Sequence, residues 1–168
     1  ALGSFQVCDR QDLPTPPFDA AFFRRELGIF EDLALATEVR TRREVSLFLD
    51  HLAQSLAAHP YRLTHRDFHV NNLFLSEGRV WAVDYQDMRG GPDTYDLASL
   101  LRERGGAALP GEASTRARAA SRFGWAPGWE RRYLECAAQR GLKVIGTFLR
   151  LAGAGRVGYL RWLPVVRE

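Results

Sequence analysis

A chain of 168 residues with 46% hydrophobic and 26% charged side chains has the balance of a soluble domain with one core. No apolar run is long enough to span a bilayer and no signal peptide opens the sequence, so the expectation is a cytoplasmic protein with no membrane partner. The net charge of +3 rests on arginine, Lys143 being the only lysine; pairs such as Arg24-Arg25, Arg42-Arg43 and Arg131-Arg132 stand near carboxylates with no interleaved aromatics, which argues against nucleic acid as a partner.

In chain order, Pro14, Pro16 and Pro17 predict an irregular segment over residues 1–18. Asp19 reads as the N-cap of a helix running to about residue 35, with Phe22, Phe23, Leu27, Phe30 and Leu33 on one face. A second helix, about 38–58, is expected to bury Val45, Phe48, Leu49, Leu52 and Leu56 before Pro60 ends it. Short apolar runs at 72–75 and 80–85, joined by Ser76-Glu77-Gly78-Arg79, predict a β-hairpin. Gly90-Gly91-Pro92 reads as a chain break, after which Asp93-Thr94-Tyr95-Asp96 leads into a helix carrying Leu97, Leu100 and Leu101. Further helices are expected at about 114–123, 128–140 and 142–151, with a short piece near Tyr159. The fold class predicted is α+β, mainly helical, one domain over residues 1–168 around a small hairpin. Cys8 and Cys136 read as reduced, structural thiols, and the four histidines make no zinc pattern.

The chemistry concentrates in residues 60–90, the expected catalytic loop and metal-binding hairpin. Asp67 is followed five residues later by Asn72, and Asp84 closes the second apolar run. Alone, Asp67 or Asn72 would read as a turn cap. In this order and spacing they match the way kinase-type lobes hold a base and two metal ligands around a phosphoryl group. Phosphoryl transfer asks for positioned charge: a base within reach of the attacking hydroxyl, and oxygen ligands that hold Mg²⁺ against a triphosphate. Asp67 is therefore the candidate base and Asn72 and Asp84 the candidate Mg²⁺ ligands, with ATP and Mg²⁺ as the expected cofactors. Asp84 is expected beside a strand, where a carboxylate without a cation is costly.

Six other residues are expected to bind substrate or support the loop. His65 is expected to pack behind the metal-binding Asp as a structural hydrogen-bonder, and Arg66 to pair with a carboxylate. His69 either reaches substrate or orders the loop. Gln86 and Asp87 either touch metal or sugar or hydrogen-bond within their turn, and Asp96 either caps its helix or braces the loop.

These residues resemble the aminoglycoside phosphotransferase and choline kinase-like superfamily, whose mark is His-x-Asp, a spaced Asn and an apolar strand ending in Asp. Segments 65–69, 83–87 and 91–101 together look most like the bacterial anomeric kinases for N-acetylmuramate and N-acetylglucosamine, which serve cell-wall sugar recycling, and segment 139–148 also resembles them. Glu26-Leu27-Gly28-Ile29-Phe30 looks similar too. The resemblance implies a protein kinase-like C-terminal lobe and transfer from ATP to a sugar or other alcohol. It also implies an N-terminal ATP-binding lobe with a strand-borne lysine and a glycine-containing phosphate loop. Neither precedes the motif, so the expectation is a lobe from which the ATP-binding lobe is absent, inactive or weak in isolation and prone to self-association through the uncovered face. Two other readings stand beside it: an aminoglycoside, choline or other alcohol kinase, and a non-catalytic relic lobe that serves as a binding module. More Arg than Asp or Glu after Asp96 favours a neutral or anionic acceptor over a cationic one.

Overall fold

The computed structural model describes residues 18–34, 39–102 and 111–163. The proline-rich segment and Cys8 lie outside the described residues.

Helix α1 (Ala20–Ala34) starts where Asp19 accepts the Phe22 N–H at 2.6 Å, the cap expected from sequence. Its inner stripe buries Phe23 and Leu27 completely, with Phe22 and Phe30 at the margin of the core. Helix α2 (Val39–Ala57) buries Leu49, Leu52, Ala53 and Leu56 against them. Phe48, expected in the core, is 55% exposed. The buried stripe runs through Val45, Leu49, Leu52 and Leu56, which places Phe48 on its shoulder, lining a shallow groove with Leu52 and Leu134.

Strand β1 (Tyr61–Thr64) pairs antiparallel with β4 (Arg89–Pro92), Tyr61 opposite Pro92 and Thr64 opposite Arg89. The Gly90-Gly91-Pro92 run is thus a strand, correcting its reading as a break. A Cβ on Gly91 would stand 2.7 Å from the Phe18 ring and 2.8 Å from Thr64 Oγ1, so glycine here admits close packing. The hairpin forms between β2 (Leu73–Ser76) and β3 (Arg79–Ala82), turning through Glu77 and Gly78, both at positive φ as a two-residue loop requires. It ends at Ala82, short of the expected residue 85, because Asp84 takes φ 65° and leaves extended geometry.

Helices α3 (Tyr95–Leu101), α4 (Glu112–Phe123) and α5 (Trp129–Gly153) follow, and a 3-10 segment, Val157–Trp162, folds back on α5. Where two helices were expected, α5 runs unbroken through Gly141. It is the spine of the domain, packed against α1, α2 and α3. Cys136 on its inner face is fully buried and unpaired, as expected of a structural thiol.

The two mid-helix glycines of α5 have opposite roles. A Cβ on Gly146 would fall 2.7 Å from the Phe30 backbone nitrogen, so the α1–α5 approach requires glycine; nothing lies within 4 Å of a Cβ on Gly141. Gly146→Ala is expected to cost about 1–3 kcal/mol in urea unfolding. Gly141→Ala is expected to gain up to about 1 kcal/mol in the same measurement.

Helices α2 and α5 are also joined by a polar clasp. Glu135 accepts from Ser55 and Arg131 at 2.7 Å each, and His59 Nε2 lies 2.7 Å from it. Burial holds His59 below its ordinary 6.5 despite the neighbouring carboxylate. Burial pushes Glu135 upward, but the Ser55, Arg131 and His59 hydrogen bonds outweigh it and leave it below 4.5. Both folded-state values are depressed, so the unfolded chain binds more protons on acidification. The clasp's own contribution to stability is expected to be full above pH 6.5 and to fall as pH drops, first through the His59 range and then below the 4.5 of Glu135. Urea midpoints taken from pH 8 to pH 4 check this, and His59→Gln should flatten the upper step.

Candidate active site

The site grows out of the end of β1. After Thr64 the chain turns sharply: Arg66 sits at φ 76°, left-handed backbone that costs a non-glycine residue about 1–2 kcal/mol. Asp96, 1% exposed in the first turn of α3, holds the turn. Its Oδ2 accepts the His65 N–H at 2.7 Å and its Oδ1 the Arg66 N–H at 3.1 Å. Burial pushes the Asp96 carboxyl up to about 6 against the pull of these two donors, and it is ionised at neutral pH. Of the two roles expected for Asp96 it takes the brace, since Thr94 occupies the N-cap.

The His65 ring is buried, with Nε2 2.8 Å from the Val83 carbonyl, so it ties the loop to the end of the hairpin just before Asp84. The Arg66 guanidinium reaches Glu26 at 3.6 Å and Asp87 at 3.4 Å and lies over the rings of Phe18 and Phe22. Asp87 thus braces Arg66 within the fold.

Asp67 follows with a side chain 42% exposed. Arg140, itself buried, donates to the Asp67 carboxylate at 3.3 Å and to the Arg66 carbonyl at 2.9 Å, fixing the loop from α5. Burial alone would raise the Asp67 pKa; the charges of Arg140 and Lys143 outweigh it and hold the carboxyl below the usual range.

Asn72 donates its side-chain amide to the Asp67 carbonyl at 2.9 Å, which leaves its Oδ1 as an acceptor. The Asn72 carbonyl receives the Val83 N–H at 3.0 Å, which brings Asn72 beside Asp84 across the mouth of the hairpin. Asp84 is exposed and lies beyond the strand it was expected to close: the strand ends at Ala82, and Asp84 takes a left-handed turn. The Gln86 amide donates to Asp84, so Gln86 serves its turn. Among the described residues no group of three or more His, Cys, Asp or Glu is placed to hold a metal ion. Asn72 Oδ1 and the Asp84 carboxylate are hard oxygen donors, and such a pair fits Mg²⁺, which keeps most of its shell as water and phosphate oxygen.

Beside Asp67 opens a cleft of about 240 Å³, lined by Asp67, His69, Arg140, Lys143, Thr147 and Phe148, with Tyr159 and Trp162 also on its wall. Lys143 Nζ lies 2.8 Å from Glu26, whose other oxygen accepts from Gln139 at 2.8 Å. Sequence reasoning assigned no role to Glu26, Gln139, Arg140 or Lys143. The available signal was the spacing of Arg140, Lys143, Val144, Thr147 and Phe148, which puts cations and apolar residues on one helical face.

The family model for the phosphotransferase enzyme family matches residues 1–134, and the chain belongs to that family. It is similar to the N-acetylmuramate/N-acetylglucosamine kinase of Pseudomonas aeruginosa, 33% identical over 185 residues that cover 98% of this chain and 53% of the relative. The same-named protein of Neisseria meningitidis serogroup B is 37% identical over 94 residues, 52% of this chain and 28% of the relative. That of Pseudomonas putida is 33% identical over 101 residues, 55% and 29% respectively. At its greatest coverage, the chain spans about half the length of the curated relatives it matches.

Proposed function

We propose that this chain forms the catalytic, C-terminal lobe of an ATP-dependent kinase that phosphorylates the anomeric hydroxyl of N-acetylmuramate or N-acetylglucosamine. The observation that carries the reading is Asp67, held ionised at the head of a cleft with Asn72 and Asp84 drawn together next to it. Asp67 would take the proton of the sugar hydroxyl, while Asn72 and Asp84 would hold the cation that neutralises the triphosphate. His69, on the cleft wall, would meet the sugar. The cleft is below the usual range for drug-sized ligands, which suits a single sugar ring. Two cations on its wall against one carboxylate disfavour polycationic aminoglycosides.

The ATP-binding lobe of this reading would seat on the hairpin. Val70, Phe74, Leu75, Val80, Trp81 and Tyr85 are all about half exposed or more there, a patch that single domains rarely leave bare. With that face uncovered, the isolated chain would self-associate and transfer phosphate weakly.

The test incubates the complete gene product with Mg-ATP and, separately, N-acetylmuramate, N-acetylglucosamine, kanamycin and choline, followed by phosphorus NMR. A sugar-1-phosphate resonance is expected with the first two. Transfer to kanamycin or choline alone overturns the acceptor, and transfer to none of the four overturns the function.

A further inference from the structure

We propose that Lys143 determines specificity by receiving an acidic substituent of the sugar, the lactyl carboxylate of N-acetylmuramate. This rests on the function proposed above and deepens it, because the two sugars differ at that substituent: one carries a carboxylate and the other a hydroxyl.

The cleft wall is a ruled surface of α5. Arg140, Lys143 and Val144, then Thr147 and Phe148, recur on one face, about 1.5 Å of rise per residue along the axis from Arg140, which meets the candidate base at 3.3 Å. A sugar whose reacting hydroxyl meets Asp67 therefore lies along the helix. Lys143, three residues on, stands about 4.5 Å further along the axis, beside the substituents of the same ring. Arg140 is committed to the Asp67 carboxylate and the Arg66 carbonyl and is 7% exposed. The Lys143 side chain keeps 22% of its surface exposed in the cleft, and its one ion-pair partner among the described residues is Glu26 at 2.8 Å. An ammonium has three donors, so a second carboxylate fits beside the first.

Glu26 gives the arrangement its selectivity. Its two oxygens already serve Lys143, Gln139 and Arg66, so it holds the lysine at the wall without filling the cleft. A neutral sugar leaves that pair intact; an acidic sugar adds a charge-assisted bond to a cation already in place. At the far end Phe148 and Tyr159, with ring centroids 5.4 Å apart, offer an apolar wall common to both sugars.

The experiment compares kcat/KM for N-acetylmuramate and N-acetylglucosamine in the complete gene product, as wild type, Lys143→Met, Lys143→Arg and Glu26→Gln. In Lys143→Met the ratio of acidic to neutral sugar is expected to fall about tenfold or more, whatever the loss common to both. Lys143→Arg should restore part of the ratio, and Glu26→Gln, which removes the competing carboxylate, should raise it. Equal losses on both sugars would assign Lys143 to a group the two reactions share, such as the transferring phosphoryl, and overturn the proposal. If Lys143→Met does not fold, the ratio in Glu26→Gln decides, and an unchanged or lower value overturns it. A wild-type protein that phosphorylates neither sugar overturns the function itself and this assignment with it; activity on both with unchanged ratios overturns this assignment alone.

Discussion

Asp67→Asn is expected to reduce sugar phosphorylation by roughly 10³-fold in the complete gene product, the usual range for loss of a general base. The fold should be spared. The carboxylate is 42% exposed, and its partner Arg140 keeps its 2.9 Å bond to the Arg66 carbonyl when Asp67 is made neutral. The substitution removes charge and basicity while leaving shape, so a thermal midpoint close to wild type with turnover near background is the signature. Because Arg140 and Lys143 hold the Asp67 carboxyl below the usual range, the proposed base would be ready at neutral pH but intrinsically weak. On the proposed function the sugar hydroxyl would then lose its proton late, as charge develops on the attacked phosphoryl group. Turnover retained within tenfold of wild type would remove Asp67 from the chemistry. Single-turnover kinetics with both sugars, alongside the melting curve, make the comparison.

The largest loss of stability is expected from Asp96→Ala. The side chain is almost wholly buried, and its two oxygens satisfy two successive backbone donors in the turn that holds Arg66 left-handed. Removing it orphans both N–H groups inside the protein, a penalty that relaxation of the local strain offsets only in part, which predicts a net cost of about 2–4 kcal/mol. Asp96→Asn keeps one acceptor and should cost less. Activity should fall along with stability, because the turn sets where Asp67 stands. Urea unfolding gives the first quantity. For the second, kcat measured well below the melting range separates loop misplacement from global unfolding, and wild-type kcat in a folded Asp96→Ala would leave the brace with a purely structural role.

Much of this was legible in the chain and some was not, for reasons that lie in specific residues. The cap at Asp19, the apolar stripe of α1 and the hairpin follow from local chemistry, and local chemistry is what sequence spacing records. That Asp67, Asn72 and Asp84 lie near one another was legible because they fall within one loop and one hairpin. The β1–β4 pair was hidden because β4 is Arg-Gly-Gly-Pro, whose composition argues for a turn; its pairing with β1 makes it a strand, and Gly91 admits the Phe18 ring against it. Gly141 misled in the same way, since α5 gains enough from α1 and α3 to carry a glycine through. The helical face of Arg140 and Lys143 could be read from spacing, but their contacts could not: Gln139 and Glu26 are 113 positions apart, and Arg140 meets the loop from 74 positions away.

That α5 is one uninterrupted rod constrains how this domain can change over generations. Cys136 and Gln139 in the core, Arg140 against the loop, Lys143 and Thr147 in the cleft and Gly146 against α1 are all geared to one axis. Inserting or deleting a single residue near Gly141 would swing everything beyond it by about 100°. Phe148 would leave the cleft at the same step at which Gly146 left its contact with Phe30. Lineages of this domain can therefore change the lining of this cleft by exchanging side chains in place, while a length change within α5 would dismantle the cleft and the core together.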